Sequence, residues 1–166
     1  MKRIVSFYLN GMETQAMAKP ENTLLEMLRD ELSLTSPKCG CNHGDCGTCT
    51  VILDGKSVKS CMVLALTVEG KRIVTVDGLA KEEKLHPLQQ AFYEYGAPQC
   101  GFCTPGMVMA ATACLLENPH PTEEEVKEAL SGNLCRCGGY KKYVTAVMAA
   151  ARGEFGPLPK GSEINV

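Results

Sequence analysis

Eight of the ten cysteines in this chain form two groups of four, and each group has its own spacing. The first group is Cys41, Cys46, Cys49 and Cys61, and the second group is Cys100, Cys103, Cys135 and Cys137. Four thiolates that bind one inorganic centre must converge on a small volume, so loops and the elements behind them have to bring each group together. Two such groups divide the 166-residue chain into two halves, each built around its own site.

The first group reads C-x4-C-x2-C with a fourth cysteine after eleven residues, which is the plant-type spacing for a 2Fe–2S cluster. Gly40, Gly44 and Gly47 lie between these cysteines. Glycine permits the positive φ angles that a contorted loop needs, and it lets backbone N–H groups approach the sulfurs. Zinc also accepts four thiolates, but it commonly uses two C-x2-C pairs and this group has one. The spacing therefore favours a 2Fe–2S cluster over zinc.

The second group reads C-x2-C, then C-x-C after a long gap, and each pair directly precedes a predicted helix. Pro105 opens the first of these helices, and the second begins near Tyr140. Helix N-termini carry unpaired N–H groups and the positive end of the helix dipole, and both favour thiolates and a negatively charged cluster. By spacing alone an iron–sulfur cluster, a zinc ion and a redox dithiol all remain open for this group.

Charge and hydropathy exclude several classes of function. With 17 basic and 19 acidic residues the net charge is −2, so nothing in the composition indicates binding to nucleic acid or to an anionic membrane. No apolar run approaches the roughly 18 residues of a membrane span, and the first eight residues alternate like a strand and not like a signal peptide. We therefore expect a cytoplasmic protein whose cysteines serve metal or redox chemistry, and we disfavour a secreted disulfide scaffold.

The first half of the chain has the pattern of an α+β domain. Asn10-Gly11 suits the tight turn of a hairpin, and Thr23 with Glu26 forms a capping box that opens a short helix through Leu32. The predicted strands are residues 3–9, 12–18, 48–53 and 72–76. Two strands, a helix, a cysteine loop and further strands in this order fit a β-grasp fold.

The second half is helical. Thr104 is the expected cap of the helix that Pro105 opens, and Thr122 with Glu125 forms a second capping box. The predicted helices are residues 87–95, 105–117, 123–132 and 140–151. Residues 107–116 and 144–151 are apolar nearly all round, so they must be buried either in a bundle or under a partner subunit.

We therefore predict an α+β protein in which an N-terminal β-grasp domain of the plant-type ferredoxin kind precedes an all-α four-helix domain. The predicted boundaries are a β-grasp domain at 1–78, a linker at 79–86, a four-helix domain at 87–152 and an extended or partner-bound tail at 153–166. Cys39 and Cys114 lie outside both spacings, so we expect neither to bind a cluster.

Three motifs resemble those of the small iron–sulfur subunits of molybdenum hydroxylases, the xanthine dehydrogenase family. They are GCNHGDCGTCTV at 40–51, QCGFCTPG at 99–106 and GNLCRC at 132–137, and the similarity extends over residues 3–150 in the same order. The resemblance implies that both cysteine groups bind 2Fe–2S clusters. It therefore narrows the choice that spacing alone leaves open for the second group.

The resemblance also implies partners. In this family a large subunit holds molybdenum on molybdopterin, and usually a medium subunit or a domain holds FAD. The cluster of the helical domain lies nearer the molybdenum, and the β-grasp cluster lies nearer the flavin. Gln99 matches a glutamine that contacts the pterin, and Cys137 matches a cluster ligand close to it. We therefore expect a hetero-oligomer, with a dimer of heterotrimers as one arrangement.

The leading functional hypothesis is an electron-transfer subunit that passes electrons between the molybdopterin centre and FAD. No nucleophile–base arrangement, Rossmann fingerprint or phosphate-binding loop occurs in the sequence, so we predict no catalytic residue on this chain. One alternative is a free-standing two-cluster ferredoxin that carries electrons between other proteins. A second alternative is a zinc-stabilised interaction module, which would be colourless where iron–sulfur proteins are red-brown. The resemblance implies that the residues that bind the substrate lie on another subunit.

Overall fold

A computed structural model describes residues 1–165. Its single sheet contains β1 (Arg3–Leu9), β2 (Met12–Ala18), β3 (Thr50–Leu53), β4 (Lys56–Lys59) and β5 (Arg72–Val74). The spatial order is β2-β1-β5-β3-β4, with β1 and β5 parallel and the other pairs antiparallel. This mixed sheet with helices confirms the predicted α+β class. β3 and β5 are each shorter than predicted, because the chain turns away from the sheet near the cysteine loop and again at Val76.

The N-terminal hairpin forms as its sequence indicates. β1 and β2 pair from Arg3 opposite Ala18 to Leu9 opposite Met12. The two turn residues both have positive φ, 53° at Asn10 and 85° at Gly11, as a type I′ turn requires.

The first helix begins at the predicted capping box and then widens. In α1 (Leu24–Glu26), Thr23 Oγ1 accepts a hydrogen bond from the Glu26 N–H at 3.2 Å, and Glu26 Oε2 accepts one from the Thr23 N–H at 2.8 Å. The chain continues as one π-helical turn over Met27–Glu31, where we predicted ordinary α-helix. The wider turn arises because the Leu32 N–H bonds the carbonyl of Met27, five residues back.

Four helices make up the second half, which confirms the predicted helical domain. They are α2 (Pro87–Glu94), α3 (Thr104–Glu117), α4 (Glu123–Leu130) and α5 (Tyr140–Ala151). α5 packs against α2 and α4, and α3 lies across the sheet on β3. None of the helices within residues 1–165 is long and apolar enough to cross a membrane.

One predicted helix cap is wrong and another is confirmed. α3 starts at Thr104 itself, so Cys103 takes the cap position and no side chain caps this helix. The Thr104 hydroxyl is instead within hydrogen-bond distance of Tyr143, a residue distant in sequence that no local pattern could reveal. The second capping box forms as predicted, with the Glu125 N–H donating to Thr122 Oγ1 at 3.3 Å.

The two halves share an apolar core. Ile52 of β3 and Val74 of β5 belong to the same buried cluster as the helices. Met107 and Met109 of α3 are fully buried in that cluster. The all-round apolar character of α3 is therefore explained by burial within this chain, between the sheet and the other helices.

The linker and the tail both make specific contacts. His86, at the end of the linker, is buried, and its Nδ1 accepts a hydrogen bond from the Leu88 N–H at 3.1 Å, which caps α2. Burial lowers the pKa of His86 to about 4, so this histidine is neutral at pH 7. The predicted extended tail has no regular structure at 157–160, then forms a 3₁₀ turn at Gly161–Glu163 and buries Ile164 in the helical core. Residue 166 lies outside the described residues.

Candidate iron–sulfur centres

Three cysteines of the first group lie on the loop before β3, and Cys61 lies in the segment after β4. The four form two pairs. Cys41 and Cys46 are half-buried, and the Cys46 N–H donates to Cys41 Sγ at 3.4 Å. Cys49 and Cys61 are buried and pack together with Leu25. The loop and the segment after β4 therefore bring the four predicted ligands together, with Cys41 and Cys46 nearer solvent and the other pair buried against α1.

Close packing shapes the first loop around one sulfur. A Cβ atom at Gly40 would lie 2.8 Å from both Cys46 Sγ and Thr48 Oγ1, so any larger residue would displace them. Thr48 Oγ1 itself lies 3.2 Å from Cys46 Sγ. Gly44 and Gly47 have φ angles of 91° and 69°, which confirms that the loop uses glycine for left-handed backbone.

Cys41 and Cys61 of this group differ in how readily they ionise. Backbone N–H groups, led by those of His43 and Cys46, lower the pKa of Cys41 to about 6, because they stabilise its thiolate. Burial, with a further contribution from Cys49, raises the pKa of Cys61 to about 12. A buried thiol of this kind gives up its proton only to a cation that takes its place, as a metal centre does.

The second cysteine group also lies in two pairs. Cys100 and Cys137 are exposed and interact with one another, whereas Cys103 and Cys135 are buried and interact with one another. Cys103 caps α3. The structure therefore brings these four predicted ligands together at the starts of α3 and α5, which is the arrangement that the sequence indicates.

Backbone N–H groups stabilise thiolates in this group as well. The Phe102 N–H is the main cause of the lowered pKa of Cys100. Burial opposes ionisation of Cys135. The Gly139 N–H, the side chain of Cys103 and the N–H groups of Cys137 and Gly138 nevertheless hold its pKa below the usual value. Burial raises the pKa of Cys103 to about 11.

Two tyrosines of α5 touch this group, and the sequence patterns did not reveal them. The Tyr143 hydroxyl lies 3.4 Å from Cys103 Sγ, and the Tyr140 hydroxyl accepts a hydrogen bond from the Cys135 N–H at 2.8 Å. Burial and the neighbouring Cys103 raise the pKa of Tyr143. Tyr140 and Tyr143 are three residues apart on α5, so their side chains are neighbours on one face of that helix, but their contacts with the cysteines depend on tertiary packing.

The donor sets fit 2Fe–2S clusters. All ten thiols are free, so no disulfide competes for them. In each group the thiols lie as two pairs, and a 2Fe–2S cluster takes two ligands on each of its two irons. Among residues 1–165, no three His, Cys, Asp or Glu side chains surround a position for a single metal ion. When bound, such clusters supply one-electron transfer.

Direct hydrogen bonds connect the two sites. The Leu134 N–H, next to Cys135, donates to the Cys46 carbonyl at 2.9 Å. The buried side chain of Asn133 donates to the Gly47 carbonyl, also at 2.9 Å. The backbone before one predicted ligand therefore bonds the backbone of another predicted ligand in the other half.

Gln99 and the two remaining cysteines lie at different surfaces. Gln99 Nε2 is 3.5 Å from the Cys137 carbonyl, and both residues are exposed beside Cys100. Cys39 is exposed ahead of the first loop, and Cys114 is half-buried in the middle of α3, where burial raises its pKa.

Comparison with known proteins identifies the family. Residues 7–80 match the 2Fe-2S iron-sulfur cluster binding domain, and residues 75–148 match a second 2Fe-2S binding domain. The nicotinate dehydrogenase small FeS subunit of Eubacterium barkeri is 47% identical over 149 residues, which cover 90% of this chain and 95% of that relative. The xanthine dehydrogenase iron-sulfur-binding subunit of Escherichia coli O157:H7 is 49% identical over 143 residues, which cover 84% and 89% of the two chains. This chain belongs to the small iron–sulfur subunits of the molybdenum hydroxylase family.

Solved structures agree with this assignment. Quinoline 2-oxidoreductase from Pseudomonas putida 86 superposes with a TM-score of 0.87 at 43% identity, covering 92% of this chain and 98% of the matching chain. The aldehyde oxidoreductase of Desulfovibrio desulfuricans ATCC 27774 gives a TM-score of 0.86 at 43% identity, with 98% of this chain matching 18% of the larger chain. The predicted β-grasp and helical architecture is thereby confirmed.

Family membership confirms the leading functional hypothesis. The chain carries two 2Fe–2S clusters, so the zinc and dithiol alternatives for its cysteines are set aside. It is an electron-transfer subunit of a molybdenum-dependent oxidoreductase and works with larger partner subunits, one of which holds molybdopterin. Nothing in the comparisons supports a free-standing ferredoxin.

Proposed function

We propose that electrons cross this chain between its two cysteine groups, from molybdopterin at one end to FAD at the other. The proposed ligands of the β-grasp cluster are Cys41, Cys46, Cys49 and Cys61, and those of the helical-domain cluster are Cys100, Cys103, Cys135 and Cys137. The hydrogen bond from the Leu134 N–H to the Cys46 carbonyl carries this proposal. It connects two ligand-bearing segments across the boundary between the halves.

The route between the sites is almost entirely covalent. It runs from Cys135 Sγ along the backbone to the Leu134 nitrogen, across 2.9 Å to the Cys46 carbonyl, and then to Cys46 Sγ. Bonded paths conduct electrons better than gaps filled by solvent. The neighbouring bond from buried Asn133 to Gly47 keeps the two segments at this distance.

We further propose that the exposed rim of the second site, the surface around Gln99, Cys100 and Cys137, faces molybdopterin on the large subunit. Gln99 and Cys137 form part of this rim. The contact from Gln99 Nε2 to the Cys137 carbonyl is long at 3.5 Å, which leaves the amide able to make a shorter bond to another group. The outer pair of the first site, Cys41 and Cys46, would then lie nearer a medium subunit that binds FAD. We expect a cytoplasmic heterotrimer that pairs into a dimer.

Iron and sulfide analysis tests the assignment of two 2Fe–2S clusters. The purified complex should contain about four iron atoms and about four acid-labile sulfides for each copy of this chain.

This chain alone should turn over no organic substrate, because it has no group that could activate one. The large subunit alone and the reconstituted complex are the controls. Relatives named for nicotinate, nicotine and xanthine make N-heterocycles the first substrates to assay with an artificial acceptor.

Other metal contents would contradict the assignment. Zinc in place of iron at either site would do so, as would iron sufficient for a 4Fe–4S cluster. A stable single chain that moves electrons between other redox proteins and has no affinity for a large subunit would favour the ferredoxin alternative.

Replacement of Gln99 tests the proposed contact with molybdopterin. In Gln99→Ala we expect both clusters to assemble, but substrate should reduce them roughly two- to tenfold more slowly, the size expected for one lost hydrogen bond. Gln90→Ala is the matched control, since Gln90 lies on α2 and its amide bonds Glu94 at 2.7 Å. Unchanged reduction rates and unchanged molybdenum content in Gln99→Ala would demote Gln99 to a structural residue.

A further inference from the structure

The side chain of Tyr143 is held rigidly beside a proposed cluster ligand. It lies on the first turn of α5 and is only 1% exposed. Its ring packs against Phe92 with 5.1 Å between the ring centroids and a tilt of 58°. This packing directs the hydroxyl to a point 3.4 Å from Cys103 Sγ and 3.0 Å from Thr104 Oγ1. A buried phenol requires hydrogen-bond partners, and these two atoms are within reach.

The donor directions follow from the chemistry of the three groups. A cluster-bound cysteine is a thiolate, which can only accept hydrogen bonds, and Cys103 is 6% exposed. Tyr143 has one proton to donate and can accept as well, and so can Thr104. A bond to the negative sulfur is stronger than one between neutral hydroxyls. Thr104 therefore donates to the Tyr143 oxygen, and Tyr143 donates to Cys103 Sγ.

We propose that Tyr143 is a positioning residue that raises the reduction potential of the helical-domain cluster through its hydrogen bond to Cys103 Sγ. This inference rests on the proposed function, because it takes Cys103 as a ligand. An added electron increases the negative charge on the ligand sulfurs. A donor at the sulfur therefore stabilises the reduced state more than the oxidised state.

The other tyrosine at this site, Tyr140, bonds the backbone of a proposed ligand and not a sulfur. The Tyr140 hydroxyl accepts from the Cys135 N–H at 2.8 Å, so it bonds the backbone of a proposed ligand and not its sulfur. Tyr140 is also exposed, whereas Tyr143 is buried. The buried tyrosine is thus the one placed to act on a sulfur without competition from water.

A redox titration of the cluster-loaded complex, followed by electron paramagnetic resonance, tests this role. Tyr143→Phe removes the hydroxyl and keeps the ring against Phe92. The equilibrium constant for reduction of the helical-domain cluster should fall about tenfold, which is about 59 mV for a one-electron couple. The potential of the β-grasp cluster should not change. Tyr95→Phe is the matched control, because the Tyr95 hydroxyl bonds Glu154 and not a cysteine.

A second variant tests the donor order. Thr104→Val leaves Tyr143 in place but removes the group that polarises it, so the potential should fall by less than in Tyr143→Phe. An unchanged potential in Tyr143→Phe at full iron content would overturn the proposal, as would an equal shift in Tyr95→Phe. A rise in Thr104→Val would overturn the donor order. Loss of the cluster in Tyr143→Phe would assign the tyrosine to cluster retention and not to tuning.

The proposed function fails in a different way. If the ligand assignment is wrong, the unaltered complex will lack the iron expected for the second site before any tyrosine is changed. Iron content is therefore measured on every preparation, and potentials are compared only between preparations of equal content.

Discussion

Cys46→Ser should abolish one electron paramagnetic resonance signal of the complex, and Cys103→Ser should abolish the other. Each change replaces a soft thiolate by a poorer ligand for an iron–sulfur cluster. The loss of turnover should exceed the roughly 10- to 100-fold that removal of an outer-shell partner costs at metal sites. These are the largest effects that we expect from single substitutions in this chain.

The two variants should differ in which signal substrate can still generate. In Cys46→Ser, substrate should still reduce the helical-domain cluster, because the surface with Gln99 and Cys137 is intact. In Cys103→Ser, substrate should fail to reduce the remaining β-grasp cluster, because electrons must first cross the second site. Rapid-freeze spectra after mixing with substrate measure both results. Equal reduction of the remaining cluster in the two variants would contradict the proposed order.

The two cysteines outside the groups are matched controls. Cys39→Ala and Cys114→Ala should keep both signals. Cys114 is half-buried in α3, so its replacement should cost on the order of 1 kcal/mol of stability or less. Loss of a cluster in Cys39→Ala would show that the ligand assignment in the first loop is wrong.

Gly106→Ala should destabilise the chain by about 3 kcal/mol, although alanine favours helices over glycine by about 1 kcal/mol. Gly106 lies in α3, where the helix preference of alanine would normally make this substitution stabilising. Here a Cβ atom would overlap the Gly47 carbonyl oxygen and lie 3.0 Å from Thr48 Cα, and both atoms belong to backbone that cannot rotate away. The steric cost therefore exceeds the gain in helix propensity.

Thermal unfolding of the complex and the rate of electron exchange between the clusters measure the effect. A loss of 3 kcal/mol would lower the melting temperature of a chain of this size by about 6–12 °C, and that of the larger complex by less. Separation of α3 from the first loop should also lengthen the contact from Leu134 to Cys46 and slow the exchange. Gly132→Ala is the control at the same junction, because its Cβ would lie at an ordinary 3.6 Å from Lys59 Nζ. Equal melting temperatures for the two variants would show that the junction is not tightly packed.

Local features were predictable from the sequence. The Asn10-Gly11 turn, the capping boxes at Thr23 and Thr122, and the bounds of α5 all form as expected. Each depends on residues a few positions apart, whose side chains or φ preferences act on their own backbone. Where a distant contact intervenes, the prediction is wrong, as with the cap of α3, where Thr104 bonds Tyr143 instead.

The tail and the first helix also contain contacts that local sequence patterns do not predict. Glycines and prolines in 153–161 predict an extended or partner-bound segment, and no pattern there indicates that Ile164 packs into a core formed by residues far away in sequence. The π-helical turn after α1 depends on one hydrogen bond that closes where the chain leaves the helix. Neither feature has a periodic signal that sequence patterns could detect.

Cysteine spacing by itself determined that this chain has two four-cysteine sites in two halves and that the first suits a 2Fe–2S cluster, because ligand spacing reflects the number of residues a loop needs to surround a cluster. For the second site the sequence indicated a cluster only through the resemblance of its motifs to a known family. Only the tertiary structure decided how the sites communicate and what surrounds them. The bond from Leu134 to Cys46, the close approach of Gly106 to Gly47 and the reach of Tyr143 to Cys103 each join segments at least 40 residues apart. Such contacts follow from how helices and sheet pack, and packing depends on all the side chains of both halves together.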